Sequence, residues 1–214
     1  MEQSTEEKIR YAAEREFMEK GFAGARIRDI AANAGINLAL LNYYFRSKEK
    51  LYEQIMTEKI DQLFSVILPT LNDKKTSLLQ KLHLIAKHYC HMLVNEPTLP
   101  GFVLSEMQNH PQRFANQISI TSKIMESDYL QQLRKADPNI EPIHHLITYL
   151  GILLFPFLMR PVLLASGTIN QKLFIKRMNE RQKNAPIWMA NLLGIPTAET
   201  KKVRKNRTRT TKTP

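Results

Sequence analysis

Apolar positions along this chain recur at helical spacing, and no segment shows sustained alternation of apolar and polar residues. Ile9, Ala13 and Phe17 stand four apart with Ala12 beside them, which predicts an amphipathic helix over about 5–20. Ser4 and Glu7 form a capping-box pair at its start, and Gly21 is placed to end it. A short helix follows over 27–33, burying Ile27, Ile30 and Ala31. After Gly35 comes a second short helix over 38–45, with Asn37 as its N-cap and Ile36, Leu41 and Phe45 as its inward face. Two short helices joined by a tight turn containing Gly are the helix-turn-helix plan.

The second of these short helices has several apolar residues off its core face and almost no charge. Asn37, Leu38, Ala39, Asn42 and Tyr43 point away from the predicted core, as a contact surface would. Asn can pair bidentately with adenine in the major groove, and small apolar groups meet thymine methyls. Arg46, Lys48 and Lys50 follow at the start of the next helix, where backbone N–H groups also favour phosphate.

The remaining pattern is also helical. A long helix is predicted over 48–71. Leu78, Leu82, Ile85, Tyr89 and Met92 define another, ending near Asn95. Pro100-Gly101 and Pro111 bound a short helix over 102–109, and one over 112–135 stops before Asp137-Pro138. Segments 140–165 and 171–193 complete an all-α chain of about nine helices, with kinks expected at Pro156 and Pro186. The apolar run Leu146–Met159 is shorter than the ~20 residues that span a bilayer, and Gly151 and Pro156 interrupt it. It predicts a helix buried on most of its circumference, in a core or a subunit interface, and no transmembrane segment.

Charge changes this picture through its position. The 214 residues carry 31 Lys/Arg and 20 Asp/Glu, a net charge of +11, which suggests a polyanionic partner. The last sixteen residues hold seven of the cations and one acid, with Val203 as their single aliphatic residue, and are predicted to form a disordered basic tail over 199–214. Between residues 22 and 50, five cations (Arg26, Arg28, Arg46, Lys48, Lys50) face two acids (Asp29, Glu49). The single cysteine, Cys90, excludes an internal disulfide and fits a reducing compartment. The polar, acidic start lacks a secretory pattern, so a cytoplasmic protein is expected.

Candidate catalytic chemistry is sparse. The chain contains no GxSxG, P-loop or Gly-rich phosphate cradle, and Cys90 and His91, adjacent on a helix, diverge. His88-Tyr89-Cys90-His91, with His83 nearby, is the one cluster of possible metal ligands, and it lacks a matching second half. His144 and His145 point apart. No enzyme activity, metal or cofactor is expected.

The motifs Ile9-x-x-Ala12-Ala13, Phe17-x-x-x-Gly21-Phe22, Ile27-x-x-Ile30-Ala31-x-x-Ala34-Gly35-Ile36 and Asn42-Tyr43-Tyr44-Phe45-x-Ser47-Lys48-Glu49-x-Leu51 resemble the DNA-binding domain of the TetR family. The resemblance covers roughly the first quarter of the chain. It implies a homodimeric, all-helical, one-component transcriptional regulator whose recognition helices enter successive major grooves of a near-palindromic operator on double-stranded DNA. By that resemblance Asn37, Leu38, Ala39, Leu40, Asn42 and Tyr43 approach bases, while Tyr44, Lys48 and Arg28 hold phosphates. Family members usually carry Thr or Ser where Arg26 stands. Arg cannot accept the capping hydrogen bond, so the second helix is expected to start without that cap, and Arg26 would reach phosphate with its own side chain.

The implied organisation is a helix-turn-helix domain over 4–64, a helical effector-binding and dimerisation domain over 65–198, and the tail. The last two long helices would form the dimer interface. A small-molecule effector would bind among the middle helices, with Phe102, Met107, Phe114, Met125, Tyr129 and Tyr149 as candidate lining. Repression relieved by an effector is the expected activity. An activator of the same fold, or a helical interaction protein anchored to anionic membrane by its tail, are the alternatives.

Overall fold

The computed structural model describes residues 4–65, 67–112, 126–136 and 138–195. Among them are ten helices and no strand: α1 (Thr5–Gly24), α2 (Ile27–Asn33), α3 (Leu38–Phe45), α4 (Lys48–Ser65), α5 (Leu68–Asn72), α6 (Leu78–Asn95), α7 (Leu99–Asn109), α8 (Asp128–Ala136), α9 (Pro142–Ala165) and α10 (Gln171–Leu192). They form two compact units. Helices α1–α4 and α7 make up the first; α5, α6 and α8–α10 belong to the second. The predicted tail, 199–214, lies outside the described residues.

In the first unit, the Ser4 hydroxyl accepts from the Glu7 N–H while the Glu7 carboxylate accepts from the Ser4 N–H at 2.8 Å, the predicted capping box. At Gly21 the backbone leaves the helical region (φ 66°, ψ 177°), a conformation open to glycine and strained for residues with a Cβ, and it bends α1 there. Ile9, Ala12, Ala13 and Phe17 are buried, as their spacing predicts. Ion pairs from Arg10 to Glu58 and from Glu14 to Lys59 (2.6 Å) join α1 to α4. Ile30 and Ala31 of α2 are buried, but Ile27 is half-buried because it opens the helix beside exposed Arg26 and Arg28. Gly35 (φ 70°) turns the chain, and the Ile36 N–H bonds back to the Ala31 carbonyl at 3.0 Å. The Asn37 side-chain oxygen accepts from the Leu40 N–H at 2.8 Å, the cap read from sequence. Leu41 and Phe45 then anchor α3 in the core, with Ile36 half-buried at its edge.

The second unit is built on α6, along which α10 packs most extensively, with α9 against both and α8 against α5 and α6. Ser77 and Gln80 form a second capping box at the start of α6. Buried residues on α6 are Leu78, Leu82, Ile85, Ala86, Tyr89, Cys90 and Leu93; Met92 is half-buried, and Leu93 takes the interior position. Lys81 is fully buried, and its ammonium is satisfied by the Thr70 carbonyl (3.1 Å), the Asp73 carbonyl, the Thr76 hydroxyl (2.9 Å) and the Asp128 carboxylate at 3.4 Å. The Tyr149 hydroxyl donates to the Leu82 carbonyl at 2.5 Å, and the Tyr129 hydroxyl is hydrogen-bonded to His145 Nε2. Burial lowers the His145 pKa to about 4.

Three predicted elements differ. The helix expected over 48–71 is two, because Pro69 cannot donate to the carbonyl of residue 65 and its ring crowds that carbonyl; Pro69 sits instead in the first turn of α5, where no donor is needed. Of the helix expected over 112–135, residues 113–125 lie outside the described residues; Glu126-Ser127 form a turn, and the Ser127 hydroxyl accepts from the Leu130 N–H at 3.4 Å to start α8. The apolar run is buried by this chain along one stripe only, Tyr149, Leu153 and Phe157, and not on most of its circumference. α9 extends over 24 residues through Pro156 and Pro161, and Ile147, Phe155 and Val162 are each more than half exposed. His144–Ala165 is long and apolar enough, by length and composition, to cross a membrane.

Two outcomes follow from this packing. Asn37→Ala removes the cap of α3 and costs about 1 kcal/mol in urea unfolding, whereas Asn37→Gly costs a few tenths. Because the folded pKa of His145 lies below its unfolded value of 6.5, the unfolded chain binds the extra proton. Stability therefore falls as pH drops from 6.5 towards about 4. A thermal-unfolding series across that range shows this loss, and His145→Gln flattens it.

Candidate nucleic-acid interface

The α3 surface is decided by two side chains. Leu41 and Phe45, one turn apart, take the buried face, so the residues between and before them must turn outward. Asn37, Ala39, Leu40, Asn42, Tyr43 and Tyr44 are exposed and Leu38 is half-buried. Tyr43 is 80 % exposed, an unusual position for a large aromatic side chain unless it meets another surface. Its ring stands edge-on to Tyr44 with centroids 5.5 Å apart, so the two rings form one raised edge. Asn42 presents a complete side-chain amide. Asn37 does not, since its oxygen already accepts from Leu40; its NH₂ group remains to donate outward.

Cations lie on the elements before and after α3. Arg26 and Arg28 are exposed on α2, and Arg26 occupies the N-cap position with no side-chain cap hydrogen bond, as its chemistry requires. Arg46 ends α3 with φ 59°, a positive value rare for a residue with a Cβ. The next turn is tight: the Ser47 N–H bonds to the Phe45 carbonyl at 2.6 Å, and the Ser47 hydroxyl accepts from the Lys50 N–H at 3.2 Å to start α4. Glu49, in the first turn of α4, has its pKa lowered by backbone hydrogen bonding at that helix start and by Ser47. Lys48 is half-buried, with its ammonium 4.4 Å from the centre of the Phe22 ring. Spacing could not reveal that contact; the one hint was the Gly21-Phe22 pair, whose glycine permits the bend that brings Phe22 round.

The candidate effector residues divide. Phe102, 8 % exposed, and Met107, 37 % exposed, belong to α7 in the first unit. Tyr129 and Tyr149 are buried in the second, and burial raises the pKa of both phenols well above the ordinary value. Phe114 and Met125 lie outside the described residues. Of the possible metal ligands, His83 and His91 are exposed on α6 while Cys90 is buried, its thiol pKa pushed up to about 11 by that burial. Among the described residues no group of three or more His, Cys, Asp or Glu is gathered to hold a metal ion.

Comparison with known proteins agrees with this geometry. Residues 9–55 match the family described as bacterial regulatory proteins, tetR family. The HTH-type protein YttP of Bacillus subtilis is 41 % identical over 58 residues, 27 % of this chain and 28 % of that protein. The HTH-type transcriptional repressor KstR2 of Mycolicibacterium smegmatis is 38 % identical over 66 residues, 31 % of this chain and 32 % of that protein. The chain thus matches about a third of the length of these relatives. The solved structure of SCO4942 from Streptomyces coelicolor superimposes with a TM-score of 0.63 at 20 % identity, covering 90 % of this chain and all of that one, which shows a shared fold. Motif, helix geometry and family match together make residues 9–55 similar to the DNA-binding segment of the tetR family of bacterial regulatory proteins, within an all-helical fold shared with SCO4942 over 90 % of this chain.

Proposed function

We propose that this chain is a cytoplasmic, homodimeric transcriptional repressor that binds a near-palindromic operator and is released by a small-molecule effector. The observation that carries the reading is the outward face of α3 within a tetR-family domain. Two apolar anchors hold the helix, an intact Asn42 amide and the Tyr43–Tyr44 edge face outward, and the neighbouring helices carry Arg26, Arg28 and Lys48. That arrangement suits insertion into a major groove, with Asn37, Leu38, Ala39, Leu40, Asn42 and Tyr43 towards bases and Tyr44, Lys48, Arg28 and Arg26 towards phosphates.

Dimerisation is supported by the second unit. Ile147, Phe155 and Val162 on α9 and Trp188 and Leu192 on α10 are exposed, Leu192 by 70 %. Apolar surface of that kind contributes about 25 cal/mol per Å² when covered, and a second copy pairing through the same two helices would cover it. The long apolar α9 also admits membrane association, which the oligomer measurement below separates from dimerisation. For the effector, the reading rests on the resemblance to the TetR family, whose helical region beyond the DNA-binding domain encloses the ligand; Tyr129 and Tyr149 lie in the second unit. A ligand bound there would shift the population of dimer geometries and so the spacing of the two α3 helices.

Selection of genomic fragments by the purified protein yields a near-palindromic site, and promoter fusions then show repression; increased transcription assigns an activator instead. Asn42→Ala relaxes preference at one base pair by about 1–3 kcal/mol. Lys48→Ala weakens binding to every sequence and reduces the slope of log affinity against log salt by about 0.9. Sedimentation in salt without detergent gives twice the 24.8 kDa chain mass, and Phe155→Glu shifts it towards the monomer. A wild-type monomer that partitions onto anionic vesicles would overturn the dimer.

A further inference from the structure

The turn between α3 and α4 breaks a local rule that the other turns of the chain obey. Arg46 is the one residue with a Cβ and a positive φ among the described residues, at φ 59° and ψ −42°. The Ser47 N–H donates to the Phe45 carbonyl across it at 2.6 Å, which makes this a γ-turn of the rare, strained hand. Gly21, Gly35, Gly167 and Gly194 hold the other positive-φ positions, where the absent Cβ removes the strain. A long cationic side chain thus occupies a place that glycine fits better. Backbone strain of this kind persists only where the surrounding structure imposes it, and it collects at functional sites.

The side chain held there is uncommitted. Arg46 is exposed, and among the described residues its guanidinium makes no hydrogen bond, ion pair or ring contact. Glu49, the nearest acid in the chain, is engaged by Ser47 and by the start of α4, and the Lys48 ammonium rests on Phe22. Arg46 stands midway between Tyr44 and Lys48, the residues directed to phosphates above, and two residues of chain span at most about 7 Å. A guanidinium offers phosphate a planar fork of donors, which an ammonium does not. We infer that Arg46 is a further DNA-contacting residue that grips a backbone phosphate beside those met by Tyr44 and Lys48, and that the strained turn is kept because it carries this guanidinium. The inference rests on the DNA-binding reading and adds to it a trade of stability for affinity at the α3–α4 turn. A phosphate contact carries no sequence information, so it acts on every duplex alike.

Three substitutions separate strain from charge. Arg46→Lys keeps both, Arg46→Ala keeps the strain and removes the charge, and Arg46→Gly removes both. Affinity of the full chain for a mixed-sequence duplex is measured by fluorescence anisotropy across a salt series, beside the Tm of each variant. Arg46→Ala and Arg46→Gly each weaken binding about fivefold or more at low salt and lower the slope of log affinity against log salt by about 0.9, while Arg46→Lys keeps the wild-type slope. Arg46→Gly also raises the Tm by about 2–4 °C, so it loses affinity while gaining stability, which a merely structural turn does not do. Wild-type affinity in Arg46→Ala or Arg46→Gly, or weaker affinity with an unchanged slope, overturns the contact. An Arg46→Gly chain no more stable than the wild type overturns the trade. Should Arg46→Ala not fold, Arg46→Gly decides alone. A wild-type chain that binds no duplex at low salt overturns the DNA-binding reading and the contact with it, whereas a wild type that binds and is matched by Arg46→Gly overturns the contact alone.

Discussion

The burial of Leu41 and Phe45 is the contact on which the reading surface depends. An eight-residue helix does not persist alone in water, because its nucleation cost exceeds what so few hydrogen bonds return. α3 therefore exists only while those two side chains are held in the core, with Asn37 supplying a partner for one orphan N–H at its start. The same two anchors fix its rotation. Once positions 41 and 45 face inward, 39, 42 and 43 have no choice but to face out, and a helix with apolar groups on its exposed side is the result.

Around that helix the first unit is assembled from aromatic contacts that reach in two directions. Phe17 is fully buried and stands edge-on to Tyr52 at 4.9 Å, and Tyr52 in turn contacts Phe22 and Phe102. Phe22 thereby joins the core of the unit to Lys48 at its surface. The second unit uses another kind of interior. Its core holds Lys81, Tyr129, His145 and Tyr149, each hydrogen-bonded. Burying polar groups costs a few kcal/mol each unless they are satisfied, so these groups specify how α5, α6, α8 and α9 dock as well as whether they do.

Much of the first unit was legible in the residue order because its determinants are local. Capping boxes and glycine turns act within four residues, and the i, i+4 pattern that buries Phe17 or Phe45 needs only an inside and an outside. The second unit was less legible. Pro69 and Ser127 redirect the chain by single-residue effects that an apolar period passes over, and hydrophobicity on α9 marks surface to be covered without saying by what. The effector candidates were the weakest, since aromatic residues at helical spacing read alike whether they fill a core or line a cavity. Phe102 and Tyr129 prove to serve different units.

By itself the sequence determined that the chain is helical, where the helix-turn-helix lies, and which residues cap and anchor it. Each of these is a matter of neighbours in the chain. Tertiary structure decided which residues meet from afar: that Lys48 rests on Phe22, that Glu106 accepts from the Tyr52 hydroxyl, and that the most apolar helix stays largely uncovered by its own chain. Those outcomes depend on how helices dock, and docking is set by the summed shape and polarity of whole faces, which no local spacing encodes.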